Sequence, residues 1–356
     1  MFDEVMKLAD RRFLVNAFLP CAAFILALTG LVALRALPYS VALWQRVTAA
    51  GLTAAVLVAA LVVAFFAAAF VSAQTGAIIR WYEGGWSGPA GRLARAAGRR
   101  CHLRRLARLD PGDPADYDRI YHDYPLPSRP QEVQATRLGN ILRNAESYPA
   151  DRYGMETAVI WPRLHPLLPE PVSAALAAAK ADMEFLLVVS ALAATFCCAA
   201  TGVLAATGTP VAATLSCLWL SGGLAHASYR GALGAARRYG GHLKVAVDLH
   251  HLTLLRHLDF PDEELRDARR QRDAYTSLAL WWYRNVPPAL QARPDADATG
   301  GTSGTGADLA GDDGPGAAPA GPRQVRGRWW PPAPSLPTIA AMGALAVSVV
   351  ILLFSP

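Results

Sequence analysis

Five long apolar segments alternate with two long polar stretches along this chain. The first three segments show no polar face, so each predicts a helix that crosses the roughly 30 Å core of a bilayer. The fourth is shorter and contains serine and glycine, and the fifth suffices if it lies nearly upright. The predicted spans are Val15–Leu34, Leu52–Val71, Phe185–Ala206, Val211–His226 and Ile339–Phe354.

The pattern between the apolar segments favours helices as well, so we predict an all-α, polytopic membrane protein. Its spans form two transmembrane hairpins, and its polar helices form one joint cytosolic layer. A stretch of Gly, Ala, Pro, Asp and Thr cannot bury enough surface to fold and is predicted to be a disordered tether for the last span. In chain order, the predicted segments are an amphipathic interfacial helix (1–13), the first hairpin (14–73), a cytosolic segment (74–182), the second hairpin (183–228), a second cytosolic segment (229–286), the linker (287–328) and the C-terminal span (329–356).

Positive charge is concentrated in the two long polar stretches. Residues 76–182 carry fifteen Lys and Arg and residues 229–336 carry fourteen, out of 34 in the whole chain. Basic residues near span ends stay in the cytoplasm. We therefore predict a protein of the cytoplasmic membrane with its N-terminus inside and its C-terminus outside. The Ala, Arg, Gly and Pro richness is typical of GC-rich bacteria.

The tract Arg92–Arg108 holds seven arginines and no acidic residue. It follows Trp81, Tyr82 and Trp86, which fit an aromatic belt at the inner interface. We expect the tract to contact anionic lipid of the inner leaflet, and no nucleic acid as partner. The alternative is a solvated basic face without a ligand. The predicted lipid-surface residues are Arg99, Arg100, Arg104 and Arg105.

The next stretch, Asp110–Asp123, carries five aspartates and two prolines and is predicted to be a loop. Asp116, Asp118, His122 and Asp123 match no known ligand spacing for a divalent metal. We favour an acidic loop that balances the arginines, and we predict neither a metal site nor a cofactor.

The central stretch carries the candidate ligand site. Apolar residues recur at helical spacing over Pro130–Tyr148, and Pro149 is expected to end this helix. A compact turn anchored by a tryptophan should follow it. Arginine suits phosphate and carboxylate groups, so several arginines here are candidates to bind one anion. The alternative is structural pairing with Glu132, Glu146 or Glu156. The predicted ligand-binding residues are Arg137, Asn140, Arg152, Trp161 and Arg163.

Three further helices are predicted towards the C-terminus. Glu170–Ala206 is apolar without a breaker after Pro171, so one helix should start in the cytosol and become the third span. Tyr239–Leu258 is helical in pattern, and its histidines have poor spacing for zinc. Pro and acidic residues then predict a helix that starts near Pro261 and ends at about Asn285.

Two motifs resemble segments of uncharacterised bacterial multi-pass membrane proteins. They are RYG followed by WPRL (Arg152–Gly154 and Trp161–Leu164) and DLHHLTLLRHL (Asp248–Leu258). The resemblance implies a membrane protein and no particular activity.

Three classes of function stay open at this point. The sequence holds no catalytic triad, phosphate loop, zinc signature or paired intramembrane carboxylates, which disfavours an enzyme. We favour a non-enzymatic membrane module that binds lipid or protein partners through its cytosolic helical layer, with a homo-oligomer as one form of partner. The alternatives are an oligomeric channel or passive transporter, and a membrane-bound enzyme with a cytosolic-face site.

Overall fold

The computed structural model describes residues 13–35, 37–261 and 265–285. Every regular element among these residues is a helix, without a β-strand, which confirms the all-α prediction. Most of the predicted interfacial helix, the linker and the C-terminal span lie outside the described residues. After a π-helical turn at Leu14–Phe18, the helices are α1 (Leu19–Arg35), α2 (Leu37–Ala49), α3 (Thr53–Tyr82), α4 (Gly88–Leu106), α5 (Pro114–Asp123), α6 (Arg137–Tyr153), α7 (Thr157–Leu164), α8 (Glu170–Ala206), α9 (Val211–His257) and α10 (Ala268–Arg284).

Three helical stretches among the described residues are long and apolar enough to cross a membrane: Asn16–Ala33, Thr53–Tyr82 and Glu170–Ala206. They coincide with the first three predicted spans, so the chain has the character of a membrane protein. The fourth predicted span, Val211–His226, is helical but is not among these three. Its serines, glycines and terminal histidine lower its mean hydropathy below that of the others.

The three apolar helices pack against one another. Ala17 and Cys21 lie against Ala68 and Val71 of α3 and Val188 of α8 in one buried cluster. Small residues at such contacts let helices approach closely. The opposite side of α3, by contrast, exposes a broad set of Val, Leu and Phe side chains, a surface that lipid would cover.

Helices α8 and α9 run antiparallel side by side. The contacts between them join Cys197 to the Leu218 carbonyl at 3.7 Å, Ser190 to the Ala225 carbonyl at 2.9 Å, and Leu186 to Gly231. As the contacting residues on α8 advance towards its C-terminus, their partners on α9 move towards its N-terminus. The turn that joins the two helices contains Gly208 at φ +65°.

The described residues form two compact units. The first contains α1 to α5, α6 as far as Tyr148, α8, and α9 as far as Leu249. The second contains the end of α6, α7, the end of α9 and α10. Its core includes Met155, Ile160 and Tyr275, which are buried.

The acidic stretch is a helix where a loop was predicted. Helix α5 begins after Asp113, whose side chain accepts a hydrogen bond from the Ala115 amide at 3.1 Å, and Pro114 occupies its first turn. Asp followed by Pro is a strong helix start, and these local signals outweigh the loop-like composition. Only the approach to the helix, before Pro114, is a turn.

Helices α6 and α7 each contain a proline, and Pro149 does not end its helix as predicted. Helix α6 continues through Pro149 to Tyr153, and Pro162 lies within α7. Pro149 lacks the amide that would bond the Ala145 carbonyl, so the helix loses one hydrogen bond there and continues for four more residues. The break falls at Gly154 instead, which separates α6 from α7 with φ +70°, and the expected Trp-anchored turn is helix α7.

The later helices follow the predictions more closely. Glu170–Ala206 is one helix, as predicted, and α9 joins the predicted fourth span and the following polar helix into 47 residues. Helix α10 begins after Asp267. Leu265 and Arg266, just before it, are helical too, and the Leu265 amide donates to the Pro261 carbonyl at 3.3 Å, which fits the predicted helix start near Pro261. Helix α10 ends at Arg284, with Asn285 in the left-handed conformation.

Candidate functional site

A buried carboxylate holds two arginines from distant parts of the first unit. Asp123, at the end of α5, is 4% exposed. Arg137 of α6 donates to its Oδ2 from Nε at 3.1 Å and from Nη2 at 2.9 Å. Arg237 of α9 donates from Nε to Oδ1 at 2.5 Å and from Nη2 to Oδ2 at 2.7 Å. The carboxylate therefore ties three helices together.

Electrostatics keep this carboxylate ionised. Burial alone would raise the pKa of Asp123, but the hydrogen bond from Arg237 and the charges of Arg137 and Arg237 outweigh it. The net effect lowers the pKa of Asp123 below its ordinary value. Asp123 in turn raises the pKa of Arg237 through their hydrogen bond.

A second layer of polar groups adjoins this clamp. Tyr124 is buried, its hydroxyl lies 3.1 Å from Nδ1 of His102, and the charge of Arg105, one turn beyond His102 on α4, acts on it. Burial, together with the charges of Arg105 and Arg137, lowers the pKa of His102 and so favours the neutral imidazole, although the charge of Asp123 opposes the shift. We call Arg105, Asp123, Tyr124, Arg137 and Arg237, with His102, the Asp123 cluster.

A buried lysine lies on α9, two turns beyond Arg237. Lys244 is 5% exposed, and its Nζ donates to the Tyr121 carbonyl at 3.0 Å. The ammonium lies 4.0 Å from the ring centroid of Tyr121 and 5.3 Å from that of Tyr148. Burial lowers the pKa of Lys244 to about 8, although the charge of Asp248 opposes the shift. Buried groups with such shifts mark candidate sites.

The arginine-rich helix α4 buries none of its side chains. Its packed side is defined by Gly98, where a Cβ would lie 2.4 Å from the Ala135 carbonyl oxygen. The opposite side presents Leu93, Ala97, Arg100 and Arg104, which recur at helical spacing and are all exposed.

The four predicted lipid-surface arginines therefore divide between two sides of α4. Arg100 and Arg104 point away from the protein. Arg99 donates to the Pro130 carbonyl at 3.1 Å, and Arg105 follows Gly98 by two turns, on the packed side of the helix. All four are exposed.

The predicted ligand-binding residues fall into both units. In the first unit, Arg137 pairs with Asp123, and Asn140 is fully buried with its amide bonded to the backbone of Gln134 and Thr136. Asn140 thus fixes the chain before α6. The expected partners Glu132 and Glu146 pair with Arg143 instead.

The other three predicted residues lie in the second unit. The Arg152 guanidinium is 5.9 Å from the Tyr153 ring centroid, and Arg163 stacks over Trp282 at 4.2 Å. Trp161 contacts His165 ring to ring at 5.6 Å. A shared anion site for these residues stays a prediction.

The acidic residues weighed as metal ligands have other partners. Asp116 pairs with Arg119 at 3.1 Å, and Asp118 lies 3.4 Å from His122. Across the part of the chain that the structure describes, no group of three or more His, Cys, Asp or Glu is placed to hold a metal ion. Among the described residues, the ion pairs between this stretch and arginines join Asp116 to Arg119 of α5, and Asp123 to Arg137 of α6 and Arg237 of α9; none involves an arginine of α4.

Sequence reasoning did not assign a role to Arg237 or Lys244. The available signal was their spacing on a helix: Arg237, Lys244 and Asp248 recur at about one and two turns, which places ionisable groups on one side of α9. Their partners, Asp123 and Tyr121, are more than a hundred residues away and leave no local trace.

The fold thus defines an all-helical protein with membrane-spanning potential and a buried polar cluster. No protein-family model, characterised protein or solved structure matches the chain.

Proposed function

We propose that this protein is a non-enzymatic, multi-pass membrane module whose cytosolic helical layer binds anionic lipid of the inner leaflet. In this proposal two transmembrane hairpins anchor the chain, with the N-terminus in the cytoplasm. The lipid-binding element is α4. The observation that carries the proposal is the outward side of α4, where exposed Arg100 and Arg104 follow Leu93 by about two and three turns, and Leu93 is 74% exposed.

The position of α4 supports contact with the headgroups. Gly98 in the middle of α4 and Gly84, just after α3, both pack against Ala135. Helix α4 therefore crosses close to the end of an apolar helix able to span a membrane. The aromatic side chains at that end, Trp81 and Trp86, are typical of the interface region.

The chemistry of the outward side suits a lipid surface. An arginine near an anionic surface contributes on the order of 1 kcal/mol, and an apolar side chain on the same side of the helix adds burial in the acyl boundary. Two such arginines would favour the lipid-bound state by about 2 kcal/mol, a factor of roughly thirty.

Exposed Cys101 on α4 provides a native reporter. Full-length protein carrying Cys198→Ala and Cys217→Ala is labelled at Cys101 with an environment-sensitive dye. These changes remove the exposed and the partly exposed cysteine outside α4, and Cys21 and Cys197 are buried. It is then reconstituted into vesicles of phosphatidylcholine, with or without phosphatidylglycerol. We expect phosphatidylglycerol to protect the dye from the neutral quencher acrylamide, and high salt to reverse the protection.

Two variants of equal charge make this test specific. Arg100→Gln with Arg104→Gln should abolish the protection. Arg119→Gln with Arg238→Gln removes the same charge from arginines that pair with Asp116 and Asp182, and should preserve it. Equal effects of the two variants, or a dye indifferent to lipid composition in the parent protein, would refute the proposal.

A further inference from the structure

The Asp123 cluster contains more positive charge than its carboxylate neutralises. Among the described residues, Arg137 and Arg237 have Asp123 as their shared ion-pair partner. Arg105 lies one turn beyond His102 on α4, and Nδ1 of His102 lies 3.1 Å from the hydroxyl of Tyr124, the residue after Asp123. Asp118 adds a negative charge that acts on Arg237 from further away. Two guanidinium groups thus engage the carboxylate and a third acts on the adjacent Tyr124, and the excess positive charge favours an additional anion.

The two clamped arginines retain unused donors. Each donates hydrogen bonds to Asp123 from its Nε and Nη2 atoms. Within the described residues, Nη1 of neither arginine has a protein partner. Their side chains are 38% and 34% exposed, so these donors reach solvent. Phosphate oxygens are suitable acceptors, since a guanidinium presents its N–H groups in a fork that matches them.

The cluster also lies near the end of α3, beyond the predicted span within that helix. The charge of Arg137 acts on Tyr229, and Tyr229 stacks on Tyr82 with ring centroids 5.5 Å apart. Tyr82 is the last residue of α3, which has 30 residues. A helix of that length measures about 45 Å, which matches a bilayer with its headgroup regions, so in the proposed placement the cluster lies near the lipid phosphates.

We infer that Arg105, Arg137 and Arg237 form a discrete binding site for one phosphate group, carried by an anionic lipid headgroup or by a soluble phosphate ester. This inference rests on the proposed placement of α4 and α3 at the inner interface. It adds a specific site on the inward side of α4 to the diffuse lipid contact on its outward side.

Variants at the neighbouring residues Arg105 and Arg104 distinguish the discrete phosphate site from the diffuse lipid contact. Arg105→Gln removes a guanidinium from the cluster and leaves both pairs with Asp123 intact, so the fold should be preserved. Arg104→Gln removes the same charge from the outward side. A discrete site predicts that Arg105→Gln weakens phosphate binding about tenfold, that Arg104→Gln changes it less than about twofold, and that Arg105→Lys retains part of it.

The experiment is native mass spectrometry of the full-length protein in a non-ionic detergent. The probes are short-chain phosphatidic acid, the matching diacylglycerol without phosphate, and inorganic phosphate. One bound phosphatidic acid with no bound diacylglycerol supports the inference. Arg105-dependent binding of inorganic phosphate as well identifies a soluble phosphate ester as a sufficient ligand, and binding of the lipid alone identifies the headgroup.

The contrary outcomes are equally definite. Failure of the parent protein to bind either phosphate probe, or equal weakening by Arg104→Gln and Arg105→Gln, would overturn the discrete site. Neither result bears on the Cys101 dye measurement, which reads the outward side of α4 in a bilayer. Selective loss with Arg105→Gln and an insensitive dye would instead retain the site and remove the surface contact.

Discussion

Asp123 shows how one side chain connects helices that are far apart in sequence. It accepts four N–H groups from two arginines, and Arg237 follows it by 114 residues. Both carboxylate oxygens are engaged, so the desolvation cost of burying the charge is offset by charged hydrogen bonds. Removing the carboxylate would leave two partly buried guanidiniums without a counterion.

We therefore expect Asp123→Asn to lower the free energy of unfolding by about 3 kcal/mol, because breaking one side of a buried ion pair leaves unbalanced charge. The matched control is Asp118→Asn on the same helix, where the side chain is 66% exposed. That change should stay within about 0.5 kcal/mol. Denaturant unfolding of the purified protein in detergent measures both, and similar losses would show that the clamp contributes little.

Protonation of Lys244 makes the free energy of unfolding depend on pH. The pKa of Lys244 falls from 10.5 to about 8 on folding, so the folded state disfavours the protonated amine. Between these values the unfolded chain binds more protons than the folded one, and stability rises as pH rises. The stability that the neutral Lys244 amine provides is fully present above pH 10.5 and is lost as the pH falls through about 8.

The comparison of the parent protein with Lys244→Met isolates this effect. Their difference in unfolding free energy should shift by about 3 kcal/mol in favour of the parent between pH 8 and pH 10.5. The Tyr121 carbonyl keeps a hydrogen bond from Asn144 in the variant, so folding should persist. Lys180→Met, which removes an exposed lysine, is the control. A pH-independent difference would contradict burial of a titrating amine.

At the scale of elements, α4 is the least expected helix. It buries no side chain, yet its register is set by the contact between Gly98 and the Ala135 backbone. Close backbone approach at a glycine replaces the side-chain packing that orients most surface helices. This contact decides which arginines face outward and which face the Asp123 cluster.

Gly98→Ala tests this contact directly. The added methyl group would lie 2.4 Å from the Ala135 carbonyl oxygen, so the helix must shift, at a cost of about 1–3 kcal/mol. Gly241→Ala, in the middle of α9 with nothing within 4 Å, should instead stabilise the protein by up to about 1 kcal/mol through helix propensity. Thermal unfolding distinguishes the two, and stabilisation by both would show that α4 is free to move.

At the scale of the whole molecule, the placement of Lys and Arg predicts how the chain is threaded. Reporter fusions after Ser128, Gly208 and Pro356 should report cytoplasm, exterior and exterior, respectively, because the basic stretches remain inside. A cytoplasmic signal at Gly208 would mean that α8 does not cross. Cytoplasmic signals at both Ser128 and Pro356 would exclude a fifth span.

Local chemistry by itself determined the helical class and most helix positions. The length and hydropathy of Leu52–Val71 predict a span without reference to any neighbour, because the alternative environment, water, is unfavourable for every residue along it. The helix over Glu170–Ala206 follows from the same local pattern. Where local signals competed, composition misled: Asp113 and Pro114 start a helix in a stretch that reads as a loop.

Only the tertiary structure decided which charged side chains meet. Arg137 had several acidic candidates nearby in sequence, and it pairs with Asp123. Arg237 and Lys244 find partners more than a hundred residues away. An arginine binds any carboxylate with similar chemistry, so residue type does not select the partner. Distance selects it, and distance between remote residues is set by helix packing that no local pattern encodes.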